Sequence, residues 1–272
     1  MLVKRLRQAS VAGYYYPDDA TELRRQLGQS VPRHEIRTQA VGVLVPHGPH
    51  RFSGAITGKT LGRVAMPSCC VILSPNHLGL GRRWSLMADG AYETPLGCVP
   101  IDELLCGLLQ AANLLVGDDE QAHRAEHAIE VILPFMQWVA PEDLTIVPLV
   151  INSVDPDECA EVAAALADVI GQSGKRVLVI ASSDLSHYAP AAQASTCDAK
   201  LLEAMRTLDG RHFLRTVSEL GVTTCGAGAV ACWLQTTRRL GATDTTLIEY
   251  GTSAQAGGDP HAVVGYAGLV AS

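Results

Sequence analysis

Three stretches of this 272-residue sequence finish an apolar run on residues that bind metals or move protons. Leu44-Val-Pro-His47 ends one, Leu73-Ser-Pro-Asn-His77 a second, and Ile180-Ala-Ser-Ser-Asp-Leu-Ser-His187 a third. Ligands of open α/β sheets bind in the crevice beyond the carboxyl ends of the strands, so three parallel strands would bring His47, His77, Asp184 and His187 to one edge. Imidazole is both a metal ligand and a proton carrier near neutral pH. A lone loop histidine is ordinarily solvated surface; three in the same strand-end position point to a site. Cys225 lies in Thr223-Thr-Cys-Gly-Ala-Gly228, directly before a helical pattern. A helix N-terminus is expected to lower the thiol's pKa and favour the thiolate, the form that binds metal, with Gly226 and Gly228 permitting close backbone approach. The plainer alternative is a capped turn with an inert thiol. Two imidazoles and a thiolate leave coordination positions open, as catalytic metal sites require. Iron, zinc and copper all accept such donors, so residue types leave the metal unassigned.

A competing pattern is His123-Arg-Ala-Glu126-His127, the inverted zinc-peptidase form with two histidines four apart on a helical face. Read structurally, it is an amphipathic helix with Ala128, Ile129, Ile132, Leu133 and Met136 as its apolar stripe and His123 exposed. The peptidase reading leaves the strand-end histidines unexplained. The glycines around Gly79-Leu-Gly81 and Gly226-Ala-Gly228 match neither a phosphate-binding loop nor a dinucleotide fingerprint. Ser182, Ser183 and Ser186 lie near His187, but no Gly-x-Ser-x-Gly elbow is present.

The elements that must position these residues alternate. Strands are expected at 41–45, 70–73, 145–150, 177–181, 246–250 and 263–270, and helices near 54–65, 101–115, 123–139, 156–171, 191–207, 211–219 and 227–240. Asp19-x-x-Glu22 has the form of a capping box and predicts an earlier helix. The stretch from Trp84 to Gly97 reads as an irregular excursion or hairpin. No repeat, linker or compositional shift divides the chain, so one α/β domain over 1–272 is expected, with a mostly parallel or mixed central sheet and helices on both faces.

Composition narrows the partners. Hydrophobic residues make up 47% and charged residues 18%, and mean hydropathy is +0.15, which suits a sheet covered on both sides. The net charge of −7 and the lack of any extended Lys/Arg cluster argue against nucleic acid. The basic start Met1-Leu-Val-Lys-Arg-Leu-Arg7 has no apolar run behind it, and no stretch is long enough to span a bilayer, so a cytoplasmic location without membrane contact is expected. Eight cysteines without a C-x-x-C pair read as reduced thiols, with Cys69, Cys70, Cys159 and Cys232 as small buried hydrophobes.

Several segments together resemble the Memo-like family, in bacteria and archaea known as the system B protein found beside AMMECR-type and radical SAM proteins. They are Val11-Ala-Gly-Tyr-Tyr-Tyr-Pro17, Val45-Pro-His47, Phe52-Ser-Gly54, Ser74-Pro-Asn-His77, Glu126-His-Ala-Ile-Glu130, Ser182-Ser-Asp-Leu-Ser-His187, Cys225-Gly226 and Gly265-Tyr266. The resemblance implies a fold similar to class III extradiol dioxygenases, with non-haem Fe(II) bound by His47, His77 and Cys225. It also implies Asp184 and His187 as pocket groups, and functional association with AMMECR-type and radical SAM proteins. The dioxygenases use a carboxylate as third ligand, and the thiol of Cys225 in that place separates fold from ring-cleaving activity. The family usually has His-Ala-Gly-Tyr where this chain has His47-Gly-Pro-His50, an exchange expected to reshape the pocket mouth.

Three functions arise as expectations. The first is a non-haem Fe(II) protein, with zinc or copper as other ions, an acid/base His187 oriented by Asp184, His127 as a further pocket group, and a small molecule or peptide as ligand. Whether it turns a substrate over as an oxidoreductase is left open. The second is a non-catalytic metal- or peptide-binding module. The third is the zinc peptidase through His123 and His127.

Overall fold

The central apolar runs at 42–45, 69–75 and 177–182 become strands because they are buried along their whole length, as strands covered on both faces must be. In the computed structural model, which describes residues 5–32 and 37–272, the strands are β1 (Leu6–Arg7), β2 (Gly42–Val45), β3 (Cys69–Pro75), β4 (Trp84–Leu86), β5 (Ala91–Thr94) and β6 (Gly97–Pro100). They continue with β7 (Val116–Asp118), β8 (Thr145–Ile151), β9 (Val177–Ser182), β10 (His187–Ala189), β11 (Thr245–Thr252) and β12 (Val263–Ala271). The helices are α1 (Ala20–Ser30), α2 (His50–Gly62), α3 (Glu103–Ala112), α4 (Leu133–Val139), α5 (Pro156–Gln172), α6 (Ala191–Arg206), α7 (Gly210–Leu220) and α8 (Ala227–Arg239). The expected basic start falls partly outside the described residues. Within them, no helix is long and apolar enough to cross a membrane.

The main sheet is mixed and nine-stranded, in the order β10-β12-β2-β9-β3-β8-β4-β7 with β11 beside β12. Its centre is parallel: β2 pairs with β9, β9 with β3, and β3 with β8. The flanks are antiparallel where β12 meets β2 and β11, and where β4 meets β8. Helices cover both faces. A side chain at Gly268 would strike Thr60 of α2, whereas one at Gly265 would strike Asp198 of α6 on the opposite face. The expected capping box is half realised: Asp19 caps α1 by accepting from the Glu22 amide at 2.8 Å.

Two expectations need correction. The stretch 123–139 is not one helix; only Leu133–Val139 is α-helical, preceded by short 3-10 turns at Glu120–Ala122 and Glu130–Ile132. Pro134 lacks the amide an interior helical position needs, and it sits in the first turn of α4, where that loss costs nothing. The excursion after Trp84 is also split. β4 joins the main sheet, and β5 and β6 form a hairpin completed by β1 into a separate three-stranded sheet.

Candidate metal centre

The parallel pairing of β2, β9 and β3 puts their carboxyl ends at one edge, and His47, Asp184 and His77 come within two residues of those ends. A fourth group arrives on the irregular segment before α4, where His127 turns into the same space. The ligand nitrogens of His47, His77 and His127 lie within 4.8 Å of one another. The rings of His77 and His127 stack at 4.5 Å, and His47 meets them edge-on at 5.1 and 5.5 Å. A second cluster shares His47: its ring nitrogen, an Asp184 oxygen and the Cys225 sulfur fall within the same limit, with Cys225 Sγ 3.3 Å from His47 Nε2. The expected trio of His47, His77 and Cys225 thus straddles two clusters, with His47 common to both.

Hydrogen bonds decide which nitrogens are free. Ser182 Oγ donates its single proton to the Ala128 carbonyl at 2.7 Å, so at 2.9 Å from His47 Nδ1 it must accept. His47 therefore carries its proton on Nδ1 and presents an unprotonated Nε2 towards Cys225 Sγ. His77 Nδ1 lies 2.8 Å from Glu126 Oε1, and the same carboxylate accepts from the His77 amide at 2.6 Å and the Ala128 amide at 2.9 Å. His127 Nδ1 stands 3.3 Å from that oxygen. This buried carboxylate thus orients the His77 ring so that its Nε2 is left for a ligand, the support a metal-binding histidine normally has, and stands beside His127 as well.

Electrostatics agree. Burial, then the neighbouring His77, pushes His47 down to about 3, and burial, then His47, pushes His127 down to about 4, so both are neutral donors at physiological pH. Burial opposes the Glu126 charge, but the hydrogen bond from His77 and the nearby imidazoles outweigh it and hold the carboxyl at about 2. Side-chain exposure rises from 1% at His47 through 18% at His127 to 28% at His77, so the pocket opens on the His77 side.

Cys225 departs from expectation. Burial, then the Asp184 carboxyl, pushes its thiol up rather than down. α8 starts two residues later at Ala227, and its end does not offset the loss of water. A thiolate here requires a cation to replace the proton. Asp184 itself is pushed up by burial and accepts from the His47 amide at 3.0 Å, so it fixes His47. His187 is oriented instead by the carbonyls of Leu185 and Thr223, 2.9 and 3.2 Å from its Nδ1. Among the described residues nothing hydrogen-bonds Nε2 of His187.

The peptidase pattern does not assemble. His123 is fully buried, with Nε2 2.9 Å from the Ser85 carbonyl and Nδ1 2.6 Å from the Tyr92 hydroxyl. Without a helix through 123–127 the two histidines share no face. His50 is likewise a core residue: Nε2 lies 2.8 Å from the Val131 carbonyl, its ring packs on Tyr16 and Phe135, and burial pushes it down to about 4. The exchange at 48–50 therefore reaches the pocket through Gly48, where a Cβ would sit 2.8 Å from the Tyr266 ring and hydroxyl.

Sequence reading missed Ser182 and Glu126 as supports, and Tyr15 and Tyr266 as pocket walls. Tyr15 lies 4.8 Å from the His127 ring. A hydroxyl ending the apolar run Val177–Ser182, and a carboxylate beside His127, were the available signals.

A profile of the family described as Memo-like protein matches residues 7–270. The chain is 37% identical to a MEMO1 family protein of Methanopyrus kandleri, over 97% of this chain and 98% of that one. It is 36% identical to a MEMO1 family protein of Methanococcoides burtonii, covering 97% and 99% of the two chains. A MEMO1 family protein of Aquifex aeolicus is 33% identical, with 98% and 99% covered.

Proposed function

The chain belongs to the Memo-like family, and from that premise we propose a metal-binding protein whose ion, Fe(II) before zinc or copper, is held at the strand-end pocket by His47 and His77. The carrying observation is the convergence of three imidazoles, His47, His77 and His127, with their ligand nitrogens within 4.8 Å. His127 would complete the set as a third neutral donor, and Cys225, 3.3 Å from His47, as an anionic one. The donors suit a borderline divalent ion, and the likeness of the family to class III extradiol dioxygenases favours iron. Such an ion supplies a Lewis acid and, as iron or copper, a one-electron couple.

The protein's own part is positioning and proton handling. Glu126 and Ser182 hold the imidazoles in one tautomer, and Asp184 fixes the backbone of His47. His187, its Nδ1 tied to carbonyls, offers Nε2 as the acid/base group for a ligand beside the ion. Titration with Fe(II) under anaerobic conditions tests this reading. His47→Ala should abolish uptake and His123→Ala, in a folded protein, should preserve it; the opposite pattern would overturn it. A non-catalytic module remains the second reading, favoured by the thiol of Cys225 where the dioxygenases carry a carboxylate. It predicts ion binding and ligand binding insensitive to His187→Ala.

A further inference from the structure

Three tyrosines are buried among the described residues: Tyr16, Tyr92 and Tyr266. Two are satisfied. The Tyr16 hydroxyl donates to Glu130 at 2.6 Å, and the Tyr92 hydroxyl lies 2.6 Å from His123 Nδ1. Tyr266, only 2% exposed, has no hydrogen-bond partner for its hydroxyl among the described residues. An unmade hydrogen bond of this kind is costly where no water reaches it. The sealed and unpartnered side-chain oxygens among the described residues belong to Asn76 and Thr245, not to Tyr266. The Tyr266 oxygen therefore opens onto a space.

The groups around that oxygen belong largely to the metal site. Tyr266 is on β12, whose preceding residue Gly265 exchanges backbone hydrogen bonds with Leu185 and Ser186, just beyond Asp184. Its ring and hydroxyl lie directly over Gly48, the residue after His47, so closely that a Cβ there would come within 2.8 Å. Asp184, Tyr15, Cys225 and Arg51 are the ionisable groups near enough to act on its oxygen. The Tyr15 hydroxyl, on the His127 side, also lacks a partner among the described residues.

We propose that the Tyr266 hydroxyl is a ligand-binding donor of this pocket, holding an anionic oxygen, carboxylate or phenolate, of a small organic molecule beside the ion. At neutral pH a phenol donates one hydrogen bond, and the imidazoles of the metal-binding set have their free Nε2 atoms turned to the ion. A divalent ion among neutral imidazoles leaves positive charge for an oxyanion to balance, and the hydroxyl fixes where that oxygen sits. Gly48 is what allows the phenol to come so close. This inference rests on the metal-centre reading for its neighbouring ion.

The test uses Zn(II)-loaded protein titrated calorimetrically with benzoate in one arm and 4-nitrophenol in the other, comparing wild type, Tyr266→Phe and Gly48→Ala. Phenylalanine keeps the packing and removes only the donor. Zinc uptake by Tyr266→Phe should match wild type, while its affinity for at least one probe should fall about tenfold or more, the worth of a hydrogen bond to a charged group. Gly48→Ala, which displaces the ring, should weaken the same probe. Equal probe affinity in wild type and Tyr266→Phe would overturn the proposal, as would a zinc-loaded wild type that binds neither probe. A wild type that takes up no cation overturns the metal reading separately. The metal-free titration then decides the hydroxyl's role: weaker binding by Tyr266→Phe upholds it, and equal or absent binding overturns it.

Discussion

Glu126 carries more of the site than any single ligand, because one carboxylate orients His77 through its ring and amide and stands beside His127 as well. Glu126→Gln keeps the shape but loses the charge-assisted acceptor, and metal affinity should fall about 10–100-fold, read by competition with a chelating dye. Unchanged affinity would mean the imidazoles are held by packing alone. At this scale the sequence was half legible. His47 and His77 could be placed because they end apolar runs, so their position is set by strand direction alone. His127 was expected as a further pocket group, and the spacing of His123 and His127 offered it a wrong partner besides, since that spacing carries meaning only on a helix. The role of Tyr266 could not be read: its neighbours Gly48, Asp184 and Cys225 come from the turn after β2, the segment after β9 and the turn before α8, and nothing local in Gly265-Tyr266 reports them.

The elements around the pocket are fastened by a buried ion pair whose two partners lie 123 residues apart in sequence. Arg7 on β1 pairs with Glu130, and its guanidinium also donates to the carbonyls of His123 at 3.0 Å and Glu126 at 2.6 Å. Glu130 further accepts from the amides of Ser10 and Val11 at 2.9 and 3.0 Å and from the Tyr16 hydroxyl. The segments that carry Tyr15 and His127 are thus tied to one carboxylate, and this long-range tie replaces the helix that local periodicity predicts. Arg7→Met would leave Glu130 charged and buried, and should cost about 3–5 kcal/mol of stability in urea unfolding. Burial opposes the Glu130 charge, yet Arg7, Tyr16 and the two amides prevail and hold its pKa below the ordinary carboxylate value. Its stabilisation is accordingly full above the unfolded value and lost as pH falls through the folded one. The wild type should therefore lose stability on acidification more steeply than Glu130→Gln. Equal pH slopes would show that this carboxylate contributes nothing to acid stability. On the other side of the pocket, a Cβ at Gly228 in the first turn of α8 would come 1.8 Å from the Ser153 carbonyl. Gly228→Ala should shift that turn with the adjacent Cys225, lowering stability by about 1–3 kcal/mol in the same assay.

For the molecule as a whole, a parallel centre with antiparallel flanks sets direction: β2, β3 and β9 must end at one edge, and the residues just beyond their ends must meet there. The alternation of apolar runs and helical patterns was enough to recover that layout. The short strands β5 and β6 were legible only as an irregular excursion or hairpin, and β1, β7 and β10 not at all, because two to four residues carry little periodicity. The assembled edge gathers two imidazoles, a thiol and a carboxyl around His47. The most direct test of a metal centre there is elemental analysis of protein purified without oxygen or chelators, comparing wild type with His127→Ala and Cys225→Ala. A metal centre at this edge predicts about one equivalent of a transition metal in the wild type and a loss in whichever variant removes the third donor. Folded wild-type protein that carries no metal and takes none up on addition of Fe(II) or Zn(II) would contradict it.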